Sequence, residues 1–194
     1  GAVYAEDTFL INQSGSHLDF TKNHSDIAGG AIYAKKLEVH NSNGNINFSG
    51  NTSESYYYGD GGAVYAESID YYRNSGDLTF TGNRAAFNGG AIYASTVELR
   101  ENTGDIVFQN NTAGKKAGAI HASTVNLSSN EGNISFIGNT QKEGGAIYAT
   151  NQVIISANKD VTFQGNTTAI YMDVSEGNYT NGGDLKLSAG EGGR

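Results

Sequence analysis

Three carboxylates, Glu38, Asp70 and Glu98, recur at intervals of 32 and 28 residues, and Asn126 continues the series. Stacked about 5 Å apart, neighbouring members would match the separation of the two carboxyl groups in a retaining glycosidase. A polysaccharide lyase would also need an Arg or Lys base and Ca²⁺ ligands converging on a cleft, whereas the regular companions of this column are Thr and Asn. A second column, Asn45, Asp77, Asp105 and Asn133, falls where turns lead into strands, and turn formation accounts for it. The four His, at 17, 24, 40 and 121, lack metal-ligand spacing, and the absence of Cys excludes disulfides, thiolate metal sites and thiol nucleophiles. With 12 basic against 20 acidic residues the net charge is −8, so no cationic stripe exists to neutralise phosphates. Nucleic acid, direct membrane insertion, a cofactor and a metal are therefore not expected. No apolar run approaches the roughly 20 residues that cross a bilayer.

The elements that would position such residues are set by a repeat. One string recurs at Gly1-Ala2-Val3-Tyr4-Ala5, Gly30-Ala31-Ile32-Tyr33-Ala34, Gly62-Ala63-Val64-Tyr65-Ala66, Gly90-Ala91-Ile92-Tyr93-Ala94, Gly118-Ala119-Ile120-His121-Ala122 and Gly145-Ala146-Ile147-Tyr148-Ala149, with a degraded copy at Thr168-Ala169-Ile170-Tyr171. Between copies stands Phe-x-x-Asn: Phe20 to Asn23, Phe48 to Asn51, Phe80 to Asn83, Phe108 to Asn111, Phe136 to Asn139 and Phe163 to Asn166. The period of about 28 residues belongs to solenoids. Each period holds three short alternating segments: the Ala-Ile-Tyr run, a second such as Leu37-Glu38-Val39, and a third ending at the Phe. Gly44, Gly76, Gly104 and Gly132, between the second and third, are read as supplying positive φ.

Three strands per coil and no helix-period stretch give an all-β, right-handed parallel β-helix of about seven coils, a single segment over residues 1–194. Alternation sends Ile32, Ala34, Leu37, Val39, Ile46 and Phe48 inward and Tyr33, Glu38 and Asn47 outward. The Phe column becomes a buried stack that Leu187, after Gly183 and Asp184, extends into the seventh coil. The Asn column and the Gly-Gly pairs build corners. Absence of Pro fits strands bonded on both sides. The first residue already lies inside the motif, so the chain reads as a stretch of a longer solenoid with end coils open to end-to-end self-association. Sequons such as Asn12-Gln13-Ser14 and Asn51-Thr52-Ser53 read as by-products of composition.

Two tyrosine features stand out from this regularity. The outward column of Tyr4, Tyr33, Tyr65, Tyr93, Tyr148 and Tyr171, interrupted by His121, serves either ladder stability or recognition. In the third coil, Asn51 to Gly62 spans eleven residues where other coils use six or seven, and the extra length holds Tyr56, Tyr57 and Tyr58. Insertions in solenoids emerge as loops, where function collects. The expected contact patch comprises Tyr56, Tyr57, Tyr58 and Tyr72, with Tyr33, Tyr65 and Tyr93 as further binding candidates.

The alternation of Gly-Gly-Ala-Ile with Phe-x-x-Asn over Gly1 to about Asn166 resembles the polymorphic outer-membrane protein repeats best known from chlamydiae. Here the chain departs by lacking Cys and by reading Ala117-Gly118-Ala119-Ile120-His121 in coil five. The resemblance implies a β-helical autotransporter passenger at the cell surface, or secreted, held to the outer membrane through a missing C-terminal part. It further implies adhesion to a host-cell surface protein or glycan, without catalysis. A polysaccharide-active β-helix enzyme and a passive stalk are the alternatives.

Overall fold

A computed structural model describes residues 1–12, 15–141, 145–172, 178–179 and 184–189. Gln13, Ser14 and Gly183, which figure in the sequence reading, lie outside them.

The chain forms the all-β parallel solenoid that its period predicts, with about six turns at about 28-residue spacing. A typical coil starts with a nine-residue strand, Ile32–His40 or Val64–Tyr72, in the first sheet. It turns into a four-residue strand, Ile46–Ser49 or Leu78–Thr81, in the second sheet. A two-residue strand follows in a third, four-stranded sheet: His24–Ser25, Thr52–Ser53, Arg84–Ala85 and Thr112–Ala113. Every strand pairing is parallel, and equivalent positions face one another: Tyr33 with Tyr65, Phe48 with Phe80, Glu38 with Asp70. Backbone register places Leu187 opposite Phe163.

The division into three strands differs from the sequence expectation. The Ala-Ile-Tyr run and the Leu37-Glu38-Val39 segment are one strand, interrupted by a phase slip in which Lys35 and Lys36 both point outward between buried Ala34 and Leu37. The slip breaks the alternation without breaking the ladder, so one strand reads as two. Among the first six coils, only the fourth has the strand split there, into Ile92–Tyr93 and Thr96–Arg100.

The core is a set of ladders. Ile32, Ala34, Leu37, Val39, Ile46 and Phe48 are buried, with Tyr33, Glu38 and Asn47 half-exposed. Phe20, Phe48, Phe80, Phe108, Phe136 and Phe163 stack with centroids 4.6–4.9 Å apart and ring planes within 7°. Phe20 is half-buried, and the other five are sealed.

Each Phe is followed by a corner in which Asn satisfies three groups. Asn83 Oδ1 accepts the Asn51 backbone N–H at 2.9 Å and the Asn51 side-chain amide at 2.9 Å, while its own amide donates to the Phe48 carbonyl at 3.0 Å. The pattern runs from Asn23 through Asn51, Asn83, Asn111 and Asn139 to Asn166. A second Asn ladder, missed in the sequence, turns the other corner. Asn74, Asn102, Asn130 and Asn158 are buried, and Asn102 Oδ1 accepts the Asn74 N–H at 3.0 Å while its amide donates to the Tyr71 carbonyl at 3.2 Å.

Left-handed backbone sits just before each Asn: Lys22, Gly50, Gly82, Asn110, Gly138 and Gly165 at the Phe corner, and Arg73, Glu101, Ser129 and Ala157 at the other. Gly44, Gly76, Gly104 and Gly132 therefore do not supply the positive φ expected of them. They are glycine because coils approach closely there: a Cβ on Gly104 would lie 2.2 Å from the Gly76 carbonyl oxygen.

Candidate functional site

The insertion in the third coil is a tight turn on a pinned base. The Ser55 hydroxyl accepts the Tyr58 N–H at 3.2 Å and the Ser55 carbonyl accepts the Gly59 N–H at 2.7 Å. The Gly59 carbonyl accepts the Phe87 N–H at 3.0 Å, tying the base to coil four, and the Asp60 carbonyl accepts the Gly29 N–H at 3.0 Å, tying it to coil two. Asp60 Oδ1 also accepts the Asn88 N–H at 3.0 Å, and burial raises the Asp60 pKa against the opposing pull of Asn88. With the backbone satisfied below, the rings at the tip have no core to enter. Tyr56, Tyr57 and Tyr58 are 76%, 72% and 70% exposed, and Tyr56 meets Tyr57 edge to face at 5.1 Å.

The regular tyrosines are arranged differently. Tyr4, Tyr33, Tyr65, Tyr93, His121, Tyr148 and Tyr171 form one stack along the first sheet, with centroids 4.8–5.4 Å apart and planes within 16°. Each internal ring has both faces covered, so Tyr33, Tyr65 and Tyr93 offer only edges and hydroxyls. Burial raises the pKa of Tyr65 and Tyr93. His121 fits between Tyr93 and Tyr148 as a neutral ring: burial, then the charge of Lys116, push its pKa down to about 4.

The structure gathers most of the predicted binding residues at one corner and excludes Tyr72. Tyr65 follows Gly62 by three residues and the triplet precedes Gly61 by three to five, so both flank the same turn. Tyr72 ends the strand Val64–Tyr72, about 26 Å away along an extended chain. It stacks on His40 at 5.1 Å, lies 4.5 Å from the Arg100 guanidinium, and donates to Glu38 at 3.3 Å.

That far end also changes the surroundings expected for the carboxylate column. Glu38 bonds Lys36 at 2.8 Å, and this contact, then the opposing effect of burial, leaves its pKa lowered. Asp70 takes both its contacts from Arg100, at 3.0 and 3.1 Å, and Glu98 accepts from Asn126 at 2.9 Å. Cations and Tyr72, not Thr and Asn alone, accompany the column, because Lys36 reaches along its own strand and Arg100 and Tyr72 reach diagonally between coils. Among the described residues no group of three or more His, Cys, Asp or Glu could hold a metal ion.

Other members of the Tyr corner escaped sequence reasoning. Ile27 is 64% exposed, one coil before the triplet, and borders a groove of about 300 Å³ with Tyr4 and Tyr33. Phe87, one coil after it, carries Lys115 Nζ 4.6 Å from its ring centre. The signal was available by aligning the residues between each motif Asn and the next Gly-Gly, where Ile27, Phe87 and Lys115 hold one column.

No curated protein and no solved structure matches the chain. The Chlamydia polymorphic membrane protein repeat model matches residues 17–35, 45–67, 77–95, 105–123 and 133–150, together about half of the chain. Those five matches run in step with the coils, each opening just before the second-sheet strand and closing beyond the next Gly-Gly corner. On these five matches, this chain belongs to the Chlamydia polymorphic membrane protein repeat family.

Proposed function

We propose that this chain is an adhesive segment of a surface-displayed passenger, and that Tyr56, Tyr57 and Tyr58 form its contact tip. Membership of an outer-membrane and surface-associated family supports display outside the cell. The observation that carries adhesion is three adjacent tyrosines, each at least 70% exposed, on the one long insertion of a regular solenoid. Clustered apolar surface kept in water marks a contact site, and Tyr is favoured at the centre of such contacts. The stacked column is assigned to stability, since its internal ring faces are already covered.

The segment acts by binding a host-cell surface protein or glycan, without catalysis and without a cofactor. Support for the non-catalytic part comes from the carboxylate column, whose members are engaged by Lys36, Arg100, Tyr72 and Asn126 on an open sheet face. Beads coated with the chain should adhere to cultured animal cells, and replacing Tyr56, Tyr57 and Tyr58 together by Ser should abolish most of that adhesion without changing the fold. Equal adhesion by the variant would move the site elsewhere, and no adhesion by either would favour the stalk.

A further inference from the structure

The surface around the triplet divides into two halves that match each other. On coils two and three it projects and is acidic: Ile27 and the three Tyr stand out, and Asp26 and Glu54, neighbours in one column, are exposed. On coils four and five it is shallow and basic. The same column continues as Ala86 and Gly114, beside half-buried Phe87, with exposed Arg84 and Lys115 flanking it. Among the described residues, neither Glu54 nor Arg84 has an ion-pair partner within the chain.

We infer that this corner binds the same corner of a second copy, side by side and antiparallel, about a two-fold axis perpendicular to the solenoid. The inference rests on the reading of the triplet as a contact surface and gives that surface a second partner, another copy of this chain. A two-fold contact uses one patch twice, so it needs a surface complementary to itself. Rotation sets the projecting tyrosines of one copy against the Ala86 and Gly114 shelf of the other, and Glu54 opposite Arg84 in both directions. A neutral glycan would use the ring faces but leave those two charges unanswered. The patch is small, so pairing is weak in solution and gains strength where many rods are tethered close together.

Sedimentation velocity of the 194-residue chain, from micromolar to millimolar concentration, tests this. A concentration-dependent dimer is expected, its Kd raised about tenfold or more by the triple Tyr→Ser change. Glu54→Lys alone and Arg84→Glu alone should each weaken pairing, because each places like charges opposite one another twice. An equimolar mixture of the two variants should recover it as a heterodimer. A chain monomeric throughout, a dimer indifferent to the triple change, or a mixture that fails to recover would each overturn the inference. Cell adhesion by beads carrying a strictly monomeric chain would leave the adhesive function standing while this inference falls.

Discussion

The two Asn corners perform the same turn with different residues. At both, a core side chain is followed by an outward residue, a left-handed residue and a buried Asn: Phe80, Thr81, Gly82, Asn83 at one, Leu99, Arg100, Glu101, Asn102 at the other. Gly takes the left-handed position in four of six coils at the Phe corner, whereas the other corner uses Asn41, Arg73, Glu101, Ser129 and Ala157 at φ of 52–57°, with Ser42 in place of Asn after Asn41 and its N–H still accepted by the Asn74 side chain at 2.9 Å. A side chain there costs about 1 kcal/mol or more. The comparison teaches that the Asn ladder enforces the corner, because the geometry survives where glycine is absent.

The largest test is to remove one Asn from the middle of each ladder. Asn111→Ala strips the Asn83 N–H and the Phe80 carbonyl of their bonds, and Asn102→Ala does the same to the Asn74 N–H and the Tyr71 carbonyl. At about 1–3 kcal/mol for each buried group left unmet, both variants should lose roughly 3 kcal/mol in urea unfolding. A severe loss at one corner alone would break the equivalence.

Exchanging residues at the left-handed positions comes next. Gly82 has open space around it, so Gly82→Ala introduces backbone strain without a clash and should cost about 1 kcal/mol. Ala157→Gly should move the other way, gaining up to about 1 kcal/mol, with the freer unfolded chain offsetting part of the gain. Opposite signs sharpen the comparison, and equal signs would mean the two positions differ in more than residue type.

The smallest effect is electrostatic and confined to one corner. Arg73 bonds Glu101 at 2.7 Å across two coils, and that bond, then the charge of Arg73, hold the Glu101 carboxyl below its usual range. A lowered pKa contributes stability above the unfolded carboxylate range and loses it as pH falls through the folded value. Glu101→Gln should therefore slightly flatten the acid side of the stability profile, while Gly82→Ala leaves its shape unchanged. An unaltered profile in Glu101→Gln would show that the pair contributes nothing.

These corners also show what the sequence makes legible. The Phe corner announces itself, because one large aromatic repeats and Gly precedes the Asn. At the other corner the core position is Val39, Tyr71, Leu99, Leu127 and Ile155 in turn, which packs equally well but leaves no constant letter to align. Period and parallel stacking followed from the two recurring strings, and inward positions from alternation, whereas the phase slip at Lys35 and Lys36 disguised one strand as two. At the candidate site, the insertion was legible from its length. Tyr72 was grouped with the triplet because the two are close in sequence, and an extended strand converts that nearness into distance.

The tyrosine stack has a consequence for light. The chain has no Trp, so its near-ultraviolet emission comes from phenols. Tyr4, Tyr33, Tyr65 and Tyr93 stand 4.8–5.4 Å apart in nearly parallel planes, close enough for an absorbed photon to hop from ring to ring before it is emitted. His121, which does not emit, lies between Tyr93 and Tyr148 and makes that step the longest in the stack. Hopping between nearly parallel rings leaves the polarisation of the emission largely intact, so a loss of polarisation would report, with no label attached, that the coils have slipped out of register.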